Sequence, residues 1–225
     1  MKAKIIMLSA LGVASFGLTQ AANAGWEMDD CSNSPSGPAP CIEWSNGTDT
    51  YHFNGDGGHE DDWHGHPSGG DFVFQGNTVL NCPLTPELDC TLTLDGQVKK
   101  FEVDGQWHIG IRVNDSEVSG GLLCGAVDVG GFPWYLGPTN EHDVFDENSG
   151  ISWPASLIGN FGNIDVTALT IPVATNTHIH DVTYDNVNTF SFDGNLYENG
   201  TEVDTGCSVV GDLQLLPSGT TLSIQ

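Results

Sequence analysis

CTLTLDGQVKKFEVDGQWHIGIRV, residues 90–113, alternates apolar and polar side chains in three runs separated by two Asp-Gly pairs. The runs are 90–94, 97–103 and 107–113, with Asp95-Gly96 and Asp104-Gly105 between them. A period of two puts every second side chain on one face, the pattern of a half-buried strand. Asp-Gly between such runs fits a type I′ turn, whose two positive φ angles suit the twist of an antiparallel pair. The stretch therefore predicts a three-stranded antiparallel meander.

Outward from it the same grammar continues. Phe72-Val73-Phe74 opens a strand before it, and further strands are predicted at 122–129, 164–173, 178–184, 189–192, 195–198, 207–215 and 220–224. Turn signals stand at Asp193-Gly194, Asn199-Gly200 and Pro217-Ser218-Gly219. Residues 132–162 read as a long loop carrying Trp134, Tyr135 and Trp153. No convincing amphipathic helix interrupts the strands. The expectation is an all-β chain, an antiparallel β-sandwich or barrel built from hairpin meanders. It is preceded by a loop-rich arm at 25–70 that is acidic and His-containing, so the β-rich domain is taken as 71–225.

Residues 1–24 have the form of an export signal. Lys2 and Lys4 precede an apolar stretch, and Ala22-Asn23-Ala24 is a small-x-small cleavage site. The apolar part is shorter than the roughly 20 residues a membrane span needs. Beyond it three cations, Lys99, Lys100 and Arg112, face 30 Asp and Glu, a formal charge of −27. Such a surface repels phosphate backbones and anionic headgroups, so nucleic acid is excluded as a partner and no transmembrane segment is expected. With 10 Phe, 6 Trp and 4 Tyr in alternating segments, the charge reads as the shell of a folded domain rather than as disorder.

The six cysteines, Cys31, Cys41, Cys82, Cys90, Cys124 and Cys207, all follow the export segment, so disulfides are expected. Closure of short loops suggests Cys31 with Cys41 and Cys82 with Cys90, leaving Cys124 with Cys207. No CxxC spacing points to zinc or redox chemistry.

Three features stand as candidate sites. His59, His64 and His66, with Asp61 or Asp62, could hold a divalent cation weakly in the arm, although a solvated polar loop explains the same residues. His178-Ile179-His180 sits in a predicted strand with both imidazoles on one side. The glycine that a cupin pattern needs six positions earlier is replaced by Pro172, so the pair reads as surface histidines. Phe132, Trp134 and Tyr135 could contact an apolar phase, while core packing explains aromatic residues equally well. No GxSxG elbow and no spare cysteine support a nucleophile, so no catalytic residue is assigned and no cofactor is required.

Leu80 to Val98, with Asn81-Cys82-Pro83 and Cys90-Thr91-Leu92-Thr93-Leu94-Asp95-Gly96-Gln97-Val98, resembles the front half of the PraB-type protein activators of alkane oxidation. Cys124 with Gly131-Phe132-Pro133-Trp134, then Thr189-Phe190-Ser191-Phe192 and Gly206-Cys207-Ser208-Val209-Val210-Gly211-Asp212-Leu213, resemble its later segments in the same order. The resemblance implies a small secreted bacterial protein that assists growth on alkanes at the cell surface, in the medium or in biofilm, without known catalytic residues. The acidic arm, the extra cysteine pair and the extreme charge depart from that pattern. The expected function is thus non-enzymatic, at a hydrocarbon interface or with a cell-surface or matrix partner, secreted or, alternatively, periplasmic. An extracellular polysaccharide-active or metal-dependent hydrolase is the alternative.

Overall fold

A computed structural model describes residues 25–33, 40–53, 61–154 and 156–225. The expected export segment and His59 lie outside them. In chain order the strands are β1 (Ile42–Ser45), β2 (Thr50–Phe53), β3 (Phe72–Asn81), β4 (Leu88–Val103), β5 (Gln106–Gly120), β6 (Val127–Gly130), β7 (Trp134–Gly137), β8 (Ile151–Ser152), β9 (Ile158–Ala168), β10 (Ile171–Tyr184), β11 (Thr189–Glu198), β12 (Asp204–Leu215) and β13 (Thr221–Ile224), with one 3₁₀ turn at Cys124–Ala126.

β10, β11, β12, β3, β4, β5, β7 and β9 pair in that order, and β9 pairs back to β10, closing an antiparallel barrel of eight strands. The sandwich-or-barrel alternative is thereby resolved. Eight strands leave an interior that side chains can fill. Leu92, Leu94, Trp134, Phe161, Ile179, Phe192, Leu213 and their neighbours fill it, leaving cavities of about 40 and 60 Å³ with no carboxylate among their lining residues.

The founding stretch folds as two long strands instead of three short ones. Asp104 and Gly105 both take positive φ (52° and 80°) and make the β4–β5 turn. At Asp95-Gly96 the chain runs straight on, and the register slips from Asp95↔Asp115 to Gly96↔Val113. The slip is a β-bulge that Gly96 makes possible, since a Cβ there would lie 2.6 Å from the Arg112 carbonyl oxygen. Asp193-Gly194 likewise lies inside β11 rather than at a turn. Residues 164–173 span the β9–β10 turn, where Leu169 and Thr170 have φ of 52° and 71°.

One barrel end is closed by a small sheet in the order β13-β1-β2. Its Ile42, Trp44, Phe53, Leu222 and Ile224, with Trp26, join the same core as the barrel side chains. Segment 63–66 then follows the free edge of β4, through paired backbone bonds between His64 and Val98. Lys99, Lys100 and Arg112 fasten these pieces. The Lys99 ammonium donates to the Glu147 carbonyl and lies over the Trp63 and Phe101 rings. Lys100 donates to the Pro40 carbonyl at 3.1 Å and lies over Trp107, and Arg112 stacks on Trp63 and donates to Gln97.

At this end the β10–β11 turn is held by Asp185, whose Oδ1 accepts the N–H groups of Val187, Asn188 and Thr189 at 2.8, 2.8 and 2.9 Å. Partial burial raises the carboxyl, but these donors outweigh it and hold its pKa below the usual range. Asp185→Ala is expected to cost about 1 kcal/mol of stability by leaving those donors without their acceptor. Because the folded pKa is depressed, this contribution is complete above the ordinary aspartate pKa and is lost as pH falls through the folded value. Denaturant unfolding of the two proteins should therefore differ at pH 7 and converge in strong acid.

The disulfides are Cys31–Cys41, Cys82–Cys207 and Cys90–Cys124. The first pair agrees with the expectation and the other two correct it. Strand register decides them: Asn81 lies opposite Ser208, which brings Cys82 beside Cys207, and Cys90 lies opposite Gly120, four residues before Cys124.

Candidate functional site

Two features of the barrel exterior stand out. The first is its other end, where the turns at 82–87, 121–126, 169–170 and 199–203 gather by register. Leu84 (75 % exposed), Leu122 (98 %), Leu123, Ile171 and Val203 project there into solvent. The Cys82–Cys207 and Cys90–Cys124 bridges lie beneath them, and Leu169 N–H donates to the Ala126 carbonyl, so this apolar rim stands on a braced base.

The second feature is a histidine cluster on the barrel wall. Ile179 points inward, so its strand neighbours His178 and His180 point outward. They are covered by the loop from 138 to 149. That loop is pinned to β9 by the Asn160 amide, which donates to the carbonyls of Thr139 (3.1 Å) and Glu141 (2.9 Å). The Asn163 amide donates to the Phe145 carbonyl at 2.8 Å, and the Phe145 ring lies against Gly162 and over His178. Glu141 Oε1 in turn accepts the N–H groups of His142, Asp143 and Val144. Partial burial raises this carboxyl, and the three donors outweigh it and hold its pKa low.

His142 is thus delivered onto the pair. His178 Nε2 lies 2.8 Å from His180 Nε2 and 3.4 Å from His142 Nδ1, and all three donor atoms fall within 4.8 Å of one another. His178 is fully buried and His180 half-buried against the Tyr197 ring, which corrects the reading of both as surface histidines. Burial lowers the pKa of both imidazoles, the neighbouring rings lower it further, and the Asn199 hydrogen bond partly opposes the shift at His178. Both therefore favour the neutral form, the form that can ligate a metal.

The residues singled out in the arm are distributed differently. The His64 ring is buried 4.0 Å from the Phe53 ring, with Trp26 at its edge. His66 packs on Trp44 and its Nδ1 accepts the Ser68 N–H, while Asp61 and Asp62 are exposed. Among the described residues the three converging donors are those of the wall cluster. Trp134 is 4 % exposed and its indole donates to the Gly130 carbonyl, so it belongs to the core and is withdrawn as an interface contact. The segment expected as a loop supplies β7, whose inward position takes the ring. Phe132 stacks on Trp134, and Tyr135 leans on Trp63, both half-buried. His142 carried no signal of its own, lying 36 residues before His178 with no periodic relation to it.

Among the described residues no helix is long and apolar enough to cross a membrane. The profile of the family described as alkane oxidation protein activator PraA/PraB-like matches residues 62–223. No curated protein and no solved structure matches the chain.

Proposed function

The chain belongs to the PraA/PraB-like alkane oxidation protein activator family, and from that premise we propose that it works outside the cytoplasm as a non-enzymatic activator. In this reading it meets hydrocarbon through the apolar rim of the barrel. The carrying observation is the rim itself: five large aliphatic side chains, Leu84 and Leu122 the most exposed, gathered on the turns at one end of the barrel. The interior supports the same reading by exclusion, since cavities of about 40 and 60 Å³ leave room for one or two water-sized groups and not for a chain molecule. Three disulfides suit an oxidising compartment, as does the export signal in the sequence. With its cations engaged in internal contacts, the rest of the surface is acidic, which keeps coated droplets or cells apart.

Replacing Leu84, Leu122 and Leu123 together by Ser tests this. Burying such side chains at an oil surface is worth about 1.5–3 kcal/mol each, so adsorption to hexadecane droplets should weaken by at least about a hundredfold. The melting temperature should stay within about 2 °C, because Leu84 and Leu122 contribute little to the core. Equal adsorption and equal lowering of oil–water interfacial tension by the two proteins would dismiss the rim.

A further inference from the structure

The wall cluster stands apart from the rim reading. We propose that His142 Nδ1, His178 Nε2 and His180 Nε2 form a site for one divalent transition-metal ion of the zinc or copper type, which clamps the 138–149 loop to the barrel. Four observations carry this.

The first is the spacing. A tetrahedral ion with metal–nitrogen bonds of about 2.0–2.1 Å places its nitrogens about 3.3–3.4 Å apart. His142 and His178 already stand 3.4 Å apart, and turns of the half-buried His142 and His180 rings open the 2.8 Å between His178 and His180 and bring the third pair, within 4.8 Å, to the same value.

The second is the far side of each ring. His178 Nδ1–H donates to Asn199 Oδ1 at 3.1 Å, and the Asn199 amide is oriented by its own donation to Asn176 Oδ1, so the lone pair of His178 is on Nε2, facing the cluster. His142 Nε2 lies 3.4 Å from Glu202 Oε1, which keeps its proton on the outer nitrogen and its lone pair on Nδ1. A histidine whose distal N–H meets an amide oxygen or a carboxylate is the arrangement that orients metal ligands in proteins.

The third is the donor set. Three imidazoles without a carboxylate among them suit zinc or copper and offer calcium or magnesium nothing.

The fourth is the placement. Two ligands lie on one rigid strand and the third on a loop fastened by Asn160, Asn163 and Glu141, so little ordering remains to be done on binding. The His142 side chain is 28 % exposed, leaving a fourth position open to water. The Gly200 N–H donates to the His142 carbonyl at 2.7 Å, so the ion would join the 138–149 loop, β10 and the β11–β12 turn.

The test uses the full exported chain, stripped with chelator and titrated calorimetrically with zinc chloride and with copper(II) chloride. The expected result is one ion per chain for either metal, no heat with calcium, and a copper electron-paramagnetic spectrum split by three nitrogens. His142→Ala and His180→Ala, both at half-buried positions, should each bind at least about a hundredfold more weakly, and Glu202→Gln about tenfold more weakly. His66→Ala in the arm should bind as the parent does. Circular dichroism of each variant establishes that it is folded before titration, and the nitrogen splitting of the parent protein reads the site without any substitution. The proposal is overturned if the parent takes up neither metal, if its copper spectrum lacks nitrogen splitting, or if binding survives His142→Ala and His180→Ala unchanged.

Discussion

Replacing Cys82 and Cys207 together by Ser is expected to lower the melting temperature by about 10–20 °C. This bridge joins residues 125 apart in sequence, the longest closed loop of the three. Chain entropy alone assigns such a loop about 5 kcal/mol, against about 4 for the 34-residue loop of Cys90–Cys124 and about 3 for the 10-residue loop of Cys31–Cys41. For a domain of this size each kcal/mol moves the midpoint by about 2–4 °C. It ties β12 to the end of β3, two strands that are neighbours in the barrel but lie at opposite ends of the domain sequence. The paired Ser variants of the three bridges should rank in the order of their loop lengths. A Cys82/Cys207 variant as stable as the parent would contradict both the pairing and the ranking. Tryptic mapping of the unreduced protein checks the pairing directly: Cys82–Cys207 and Cys90–Cys124 link the peptide ending at Lys99 to the one beginning at Val113, whereas Cys82–Cys90 with Cys124–Cys207 would leave the two unlinked.

Gly162→Ala is expected to cost about 3–5 kcal/mol, comparable to deleting the Phe145 ring itself. A Cβ at 162 would stand 2.0 Å from Phe145 Cδ2, with two further ring atoms within 2.6 Å, and nothing there can give way except the ring. Phe145 is 5 % exposed and is the apolar anchor of the loop that carries His142. Expelling it therefore frees the loop as well as opening a void. The double variant Gly162→Ala/Phe145→Ala should be no less stable than Gly162→Ala alone, because both changes remove the same packing. Chemical denaturation of the three proteins measures this. Additive losses would show that the two residues act separately.

The sequence made the all-β class legible because alternation records which face of a strand is buried, and that holds whatever the strand pairs with. It could not separate Asp95-Gly96 from Asp104-Gly105. Both pairs stand between alternating runs, and only the partner strand decides whether the chain reverses or slips by one residue. Short-loop closure found Cys31–Cys41 and misassigned the other four cysteines for a related reason. Closure of short loops is a property of a free chain, whereas Cys82, one residue past the end of β3, and Cys90, within β4, are carried by strand register to different neighbours. Trp134 read as a loop aromatic because β7 has only four residues, too few for alternation to show. Strand parity placed His178 and His180 on one side correctly. Their burial depended on a loop folding back over them, and that contact comes from Asn160, Gly162 and Asn163 on β9, none of which announces it in sequence. Leu122 fell within a predicted strand, and its exposure followed only once β5 was seen to end at Gly120.

Alkane oxidation itself tests the rim most directly. Purified protein and its Leu84/Leu122/Leu123→Ser variant are added at equal concentration to alkane-grown bacterial cells lacking the protein, and hexadecane consumption is followed. The parent should raise the rate, while the variant, equally folded by circular dichroism, should leave it at the level without added protein. A variant that activates as fully as the parent would contradict the proposed role of the rim.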